Sequence, residues 1–314
     1  MTEPGPPDFE AVAAAARRIA AHAHRTPVLR SRTLDALAGA ELLFKCEPLQ
    51  RAGAFKFRGA CNAVWSLTDD FARYGVVTHS SGNHGAALAL AAKTRGVPAH
   101  VVVPRGAVRA KLAAIEAYGG TLHACEPTMA AREHAAAQIA ARTGATFVHP
   151  YTDPCVIAGQ GTAALELLGQ ADARLDAIVT PIGGGGLVGG TAIAAHGRDP
   201  AIAIVAAEPV GAADAHESLR RGERVTDIVP DTVCDGLRAT LGEINLALLR
   251  AHRVDVLLVD DADTLAAQRL LQQRLKIVVE PSSAIALAAI LAQPGRFAGR
   301  RVGVILTGGN VDGG

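Results

Sequence analysis

The sequence predicts an α/β protein, a two-domain, three-layer fold with open, mainly parallel sheets. Three observations lead there. Short Val/Ile-rich runs alternate with Ala-rich helical runs through most of the chain, and that alternation implies parallel strands joined by helices. Twice a strand passes directly into a glycine-rich turn that opens a helix, at 75–86 and at 176–187. Of the 314 residues 49% are hydrophobic but only 4% aromatic, which suits Ala-rich helices packed on Val/Ile strands. The length exceeds one ordinary core, so we expect a large unit from 1–66 and 149–314 with a smaller one, 67–148, inserted. Thirty-one basic and 30 acidic side chains leave a net charge of +1 without a basic block, which argues against a nucleic-acid surface and for a small-molecule partner. The five cysteines (Cys46, Cys61, Cys125, Cys155, Cys234) form no CxxC pair, so neither a disulfide framework nor a zinc site is indicated and a reducing cytoplasm fits. No signal core and no run of membrane-spanning length is present, so no membrane partner is expected.

Taken in order, a short disordered lead precedes a helix over 8–24, capped by Asp8, with Val12, Ala15, Ile19 and Ala20 on its apolar face and a surface position expected for it. Pro27 ends helicity, 33–38 makes a helical turn, and 41–46 alternates as a strand. Residues 47–60, EPLQRAGAFKFRGA, then set Lys56 between two phenylalanines. An amine among aromatic rings is desolvated, which lowers its pKa and suits a Schiff-base nucleophile. An isolated FKFR reads equally as an amphipathic strand whose cations reach water, so the weight rests on the motifs further along the chain. A helix over 57–67 leads to a strand at 75–79 and the turn Ser80, Ser81, Gly82, Asn83, His84, where small hydroxyls and backbone amides at a helix start make an anion site for a carboxylate; a plain capped turn is the bland alternative. Strands at 99–103, 121–124 and 146–149 alternate with helices at 108–118 and 129–143, and a helix at 158–168 comes next. The strand at 176–182 delivers Gly183, Gly184, Gly185 and Gly186 to a helix at 187–196, leaving bare amides free to approach a phosphate. The pattern is neither GxGxxG with a downstream acid nor GxxxxGK[ST]. After the strand at 201–207, Glu208 and Asp214 flank a free carbonyl, a set of oxygen donors for a hard cation or simply a solvated loop. The strands at 255–259 and 301–306, with helices at 261–276 and 284–291 between them, complete the alternation. Thr307 succeeds the last strand at its carboxyl end, where open α/β sheets bind ligands.

Pyridoxal 5′-phosphate would use these features together: an amine for its aldehyde, a glycine-rich helix start for its phosphate, one polar partner for its ring nitrogen and a carboxylate nest for its amino-acid adduct. From RTPVLRS at Arg25 through FKFRGA, THSSGNHG, IAGQGT, PIGGGGLVGG and AAEP to TGGNVD at Thr307, the chain resembles the fold-type II pyridoxal-phosphate enzymes, specifically the serine/threonine dehydratase and serine racemase family. The resemblance implies that Lys56 carries the cofactor and acts as base at Cα, that Ser81 is the hydroxyl on the opposite face, and that Ser80, Ser81, Gly82, Asn83 and His84 receive the substrate carboxylate, with Asn83 against the cofactor's 3′-oxygen. Gly183 to Gly186 and Leu187 would cradle the phosphate, and Thr307 would face the pyridine nitrogen as a neutral partner, which disfavours storing a carbanion on the ring and favours prompt loss of a β-hydroxyl. Glu208, the carbonyl of Ala212 and Asp214 match the family's divalent-cation site, for Mg²⁺, Ca²⁺ or Mn²⁺. Arg132 and His79 resemble positions that meet a second substrate carboxylate. Ala54 stands where the family often has a hydroxyl, and Arg51, Ala52 and Ala86 replace part of the polar set that accompanies nucleotide binding, although Lys276 and Asn310 remain.

The function expected from the sequence is thus a cytoplasmic, pyridoxal-phosphate-dependent ammonia-lyase, a homodimer or homotetramer, that converts L-threonine or L-serine into the 2-oxo acid and ammonia. Its rivals are a serine racemase, with Lys56 and Ser81 as opposed acid and base, a dehydratase of 3-hydroxyaspartate or of a hydroxyectoine-derived acid, and a non-catalytic cofactor carrier.

Overall fold

The computed structural model describes residues 5–311. Residues 1–4 of the lead expected before Asp8, and Asp312 of the closing turn, lie outside the described residues.

The ten strands among these residues are β1 (Val28–Leu29), β2 (Glu41–Cys46), β3 (Val76–Thr78), β4 (Ala99–Pro104), β5 (Thr121–Cys125), β6 (Thr146–Phe147), β7 (Ala177–Pro181), β8 (Ala203–Pro209), β9 (Asp255–Val259) and β10 (Arg301–Leu306). They make a six-stranded sheet in the order β1-β2-β10-β7-β8-β9 and a four-stranded sheet in the order β5-β4-β3-β6. Every pairing is parallel except the short β1 against β2.

Alternation along the larger sheet's strands makes it the middle of three layers. In β7, Val179 points into one core and Ile178 into the other; in β8 the same division separates Val205 from Ile204, and in β10 Val304 from Ile305. The Asp261–Leu275 and Pro281–Ala292 helices cover the first face, and the Pro154–Gln170, Gly186–His196 and Glu243–Ala251 helices cover the second. The smaller sheet has its own core under the Asn83–Arg95 helix. That core also takes Phe57, Ala60, Cys61 and Val64 of the Lys56–Ser66 helix. A helix that ends at residue 66 therefore packs on both the Asn83–Arg95 helix of the smaller sheet and the Pro154–Gln170 helix of the larger one.

Most expected elements form, and the departures have local causes. The first helix runs only Phe9–Ile19, with Asp8 Oδ1 accepting from the Ala11 amide at 2.9 Å. Beyond it the carbonyl of Ile19 takes the amides of both His22 and Ala23 at 2.9 Å, so the chain turns well before Pro27. The helix packs on the surface as expected, with Val12 and Ala15 fully buried against the large core and Glu10, Arg17 and Arg18 exposed, but Ala20, expected on its apolar face, is exposed as well. The helix expected from 158 begins at Pro154, with Asp153 capping the amides of Cys155 and Val156. Besides the four-residue helical turns Asp69–Ala72 and Pro294–Phe297, two helices were not foreseen, Asp214–Arg221 and Glu243–Ala251. The former reads as polar loop because only Asp214, Ala215 and Ser218 are buried, and its cap comes from Glu208 on another element. All five cysteines are free thiols. No helix among the described residues is long and apolar enough to cross a membrane.

Candidate active site

The carboxyl ends of β3, β7 and β10 open onto one cavity of about 440 Å³ between the two sheets. Lys56, Ser80 to His84, Arg132, Gly183 to Leu187 and Thr307 all line it. Glu208, Ala212 and Asp214 do not.

Lys56 is the first residue of its helix, and a short ladder fixes where that helix starts. The amide of Phe55 donates to Thr307 O at 2.9 Å, Gly309 N donates to Gly53 O at 3.0 Å, and Ala54 bridges Gly308. The same backbone pairing thus sets both Lys56 and Thr307 at the cavity. Nζ of Lys56 donates to the carbonyl of Pro150 at 3.1 Å and lies 5.1 Å from the centroid of the Phe55 ring. Desolvation lowers its pKa to about 8, against the opposing pull of the Glu280 carboxylate. Only one phenylalanine lies beside the amine: Phe57 turns into the smaller sheet's core, under the guanidinium of Arg51. The aromatic pocket read from the sequence reduces to a single ring plus burial.

The turn before the Asn83–Arg95 helix presents an open helix start. Gly82 occupies the cap position without a side-chain cap bond, and Ser80 Oγ accepts from the Gly82 amide at 3.4 Å. Ser81 is half-buried in the cavity wall with no hydrogen bond to the described residues. The first-turn amides therefore remain available to a carboxylate. Asn83 reaches across to the larger sheet, donating to Glu280 at 3.1 Å and accepting from Asn310 Nδ2 at 2.9 Å. His84 is buried with neither ring nitrogen partnered among the described residues, and desolvation holds its pKa well below the usual value. It is a neutral imidazole.

At the other wall, the carbonyl of Gly184 accepts from Gly242 N at 3.1 Å, while the amides of Gly183, Gly184 and Gly185 find no protein acceptor among the described residues. Close packing explains the glycines themselves. A Cβ at Gly184 would stand 2.4 Å from the Tyr151 ring, and one at Gly186 would stand 2.8 Å from Tyr151 O. Gly185 also adopts φ +91°, the left-handed region. Thr307 is 3% exposed, and its hydroxyl has no hydrogen bond to the described residues. A neutralisable amine, a row of free amides at a helix start and a neutral hydroxyl fit pyridoxal phosphate.

Arg132, on the Met129–Thr143 helix, lines the cavity with Nε buried and unpartnered. The neighbouring cations Arg105 and Lys111 are paired, with Glu126 and Asp235; Arg132 is in no ion pair among the described residues. His79 Nε2 beside the same cavity is likewise buried without a partner.

Sequence reasoning missed Glu280 and the turn at 149–152. Glu280 is 5% exposed and burial pushes its carboxyl up to about 7. A glutamate in the cap position before Pro281, making no cap bond, was the available signal, because Ser, Thr, Asp and Asn are the residues that cap. His149 Nδ1 accepts from the amides of Tyr151 at 3.4 Å and Thr152 at 3.1 Å, which places its proton on Nε2; burial lowers its pKa to about 3. Its ring meets that of Tyr151 edge-on at 4.5 Å.

Away from the cavity, Glu208 accepts from the amides of Ala215 at 2.7 Å and His216 at 2.9 Å, and Asp214 from that of Leu241 at 2.6 Å. Burial raises Glu208 to about 8 and Asp214 to about 6. Among the described residues no group of three or more His, Cys, Asp or Glu is placed to hold a metal, so these two carboxylates stand alone.

Comparison with known proteins adds a family. The model for "Pyridoxal-phosphate dependent enzyme" matches residues 19–308. The chain is similar to a beta-hydroxyaspartate dehydratase of Paracoccus denitrificans, at 49% identity over 98% of this chain and 97% of that protein. It is 48% identical to a serine racemase of Arabidopsis thaliana, over 97% and 93% of the two chains. Among solved structures, a T.th. threonine deaminase superposes with a TM-score of 0.93 at 42% identity, covering 98% of this chain and 100% of that one.

Proposed function

The chain belongs to the pyridoxal-phosphate dependent enzymes, in the fold-type II family of serine racemases and dehydratases, and from that membership we propose that it converts a 3-hydroxyaspartate into the 2-oxo acid and ammonia. The observation that carries the choice of substrate is Arg132, a guanidinium at the cavity with a buried Nε that has no partner, and no carboxylate of its own, among the described residues. A buried donor left unpaired costs free energy that a second substrate carboxylate would recover. The preference for L-threonine or L-serine drawn from the sequence gives way here, because a methyl group or hydrogen in the carboxylate's place would leave that guanidinium as it stands. The beta-hydroxyaspartate dehydratase relative supports the same reading.

Pyridoxal phosphate would be held at Lys56 until the substrate's own amine displaces that nitrogen and frees it, and would supply an electron sink that acidifies the α-proton. The residues do the rest. With its pKa near 8, the Lys56 amine is poised between its two protonation states near neutral pH and takes that proton. The open start of the Asn83–Arg95 helix, with Ser80 and Ser81, holds the α-carboxylate, while Arg132 and His79 hold the second one. Free amides at Gly183 to Gly185 would hold the phosphate, and the Thr307 hydroxyl would offer the ring nitrogen a neutral partner that does not protonate it. Overall, the β-hydroxyl leaves as water and water is regained when the nitrogen is released as ammonia.

A panel of 3-hydroxyaspartate stereoisomers, L-serine and L-threonine, scored by 2-oxo acid release, tests this. Arg132→Gln should lower kcat/KM for 3-hydroxyaspartate roughly 100-fold, the value of a lost charge-assisted hydrogen-bond pair. For serine the change should stay within about threefold, as a contact that substrate never makes is worth little. Similar losses on both substrates would remove Arg132 from substrate recognition.

We also assign a divalent cation, Mg²⁺, Ca²⁺ or Mn²⁺, to Glu208, the Ala212 carbonyl and Asp214. Two carboxylates 1% and 4% exposed, with no ion pair among the described residues, support it, since buried anions ionise readily only beside a cation. Chelation should lower Tm reversibly; a Tm unmoved by chelator leaves Glu208 as a helix cap alone.

A further inference from the structure

A ligand anchored at two points needs them at a fixed spacing, and here the anchors come from different elements: the amine from the Lys56–Ser66 helix and the amides from the turn before Gly186–His196. One side chain touches the support of both. Asn245, on the Glu243–Ala251 helix, is fully buried and lies behind the cavity wall rather than in it. Its Nδ2 donates to Gly184 O at 2.6 Å and to Tyr151 O at 2.9 Å. The second acceptor comes directly after Pro150, whose carbonyl receives Lys56 Nζ at 3.1 Å.

The first acceptor matters for direction. The Gly184 carbonyl also receives Gly242 N at 3.1 Å, so it faces the Asn245 side. In a trans peptide the following N–H points opposite to the carbonyl, so the Gly185 N–H is turned away from Asn245 and toward the cavity that Gly185 lines. A Cβ on Gly185 would stand 2.7 Å from Asn245 Cβ, so the two residues are in direct contact and their spacing has no slack. Stability alone does not call for asparagine here. Its Oδ1 is buried with no partner among the described residues, a penalty that an apolar side chain of similar size would not carry.

We propose that Asn245 is a positioning residue that registers the Gly185 amide against the Lys56 amine, so that an aldehyde and a phosphate on one ring are bound together. The proposal rests on Lys56 and the glycine turn being the two anchors of pyridoxal phosphate. Its signature is a loss of coupling between the anchors rather than a loss of either one.

The test resolves holoenzyme to the full-length apoprotein and retitrates wild type, Asn245→Leu and Asn245→Ala with three probes: pyridoxal, inorganic phosphate and pyridoxal 5′-phosphate. With the variants compared at equal folded fraction, pyridoxal and phosphate affinities should stay within about twofold, while pyridoxal 5′-phosphate binds at least about tenfold more weakly, because linking two anchors multiplies affinity only when the spacing fits. The ³¹P resonance of the bound cofactor should broaden in the same variants. Unchanged pyridoxal 5′-phosphate affinity, even with a lowered Tm, overturns the proposal. So does a fall in phosphate affinity that accounts for the whole effect, which would make Asn245 a support of the turn alone. Failure of the underlying reading looks different: the wild-type protein itself would carry a borohydride-fixed pyridoxyl label on a lysine other than Lys56.

Discussion

Lys56 and Arg58 stand two residues apart on one helix and face opposite surroundings. Behind the helix, Arg58 is fully buried, with Nε and Nη2 on Glu47 at 2.7 and 2.8 Å and Nη1 and Nη2 on Glu166 at 2.8 and 2.9 Å. Lys45 joins from the far side, at 2.6 Å from Glu166 and 2.7 Å from Gln170. Two cations meet two carboxylates, and the guanidinium's donors are used. In front of the helix, Lys56 has one carbonyl, Arg132 Nε, His79 Nε2 and both nitrogens of His84 have no partner among the described residues, and burial pushes the Glu280 carboxyl up to about 7. Burial is common to both regions. What separates a structural cluster from a chemical one is whether charges and donors balance within the protein.

The largest effect expected from breaking the unbalanced side is on turnover. Lys56→Met should lower kcat at least about 10³-fold, since it removes both the attachment point and the base. It should not destabilise the apoprotein. With a folded pKa near 8 against an ordinary 10.5, the folded chain gives up the Lys56 proton before the unfolded chain does. Wild-type apoprotein should therefore gain stability as pH rises from about 8 to about 10.5, and Lys56→Met should flatten that rise. Denaturant melts across this range read it directly; parallel curves for the two proteins would mean that the amine is not desolvated.

The balanced side should break the other way. Arg58→Met leaves two carboxylates buried against Lys45 alone, and should cost about 3–5 kcal/mol of stability, the range for removing one partner of a buried ion pair. Turnover per folded molecule should hold within a few-fold. A large kcat loss in a properly folded Arg58 variant would make the network part of the catalytic apparatus and dissolve the distinction between the two faces.

The same distinction marks how far the sequence could be read. Elements whose signal is carried within themselves matched closely: β9, β10 and the Met129–Thr143 helix have the bounds that periodicity suggests. The glycine turn was legible because four glycines in a row are unusual. Partnerships between distant segments were not. Arg58 looks like a companion of Lys56 until Glu47 and Glu166 fold onto it, and Asp214–Arg221 looks like loop until Glu208 caps it. Asn245 sits in an ordinary amphipathic run, and its two acceptors belong to turns far away in the chain. Phe57 shows the converse error, since adjacency to Lys56 in sequence put its ring on the wrong side of the helix.

The smallest expected effect on stability, and the sharpest on reaction course, belongs to Ser81. An α-proton leaves perpendicular to the cofactor plane, so Lys56 serves one face of Cα and a proton returned to the other face needs a second group. We take Ser81 as that group, because its hydroxyl lines the cavity and Gly82, not Ser81, holds the helix-cap position. A capping serine changed to alanine costs about 0.5–2 kcal/mol. Ser81→Ala should cost less than about 0.5 kcal/mol, the range for a side chain away from any cap or core contact. Elimination from the L-enantiomer, driven by Lys56, should persist at a reduced rate, while racemisation and turnover of D-substrates disappear. Chiral analysis of substrate left after partial conversion, at matched cofactor occupancy, separates the outcomes. Equal loss on both enantiomers would confine Ser81 to carboxylate binding and leave Lys56 the sole acid–base group at Cα; loss confined to the D-side would extend the unbalanced region across the cavity to the small sheet's helix start.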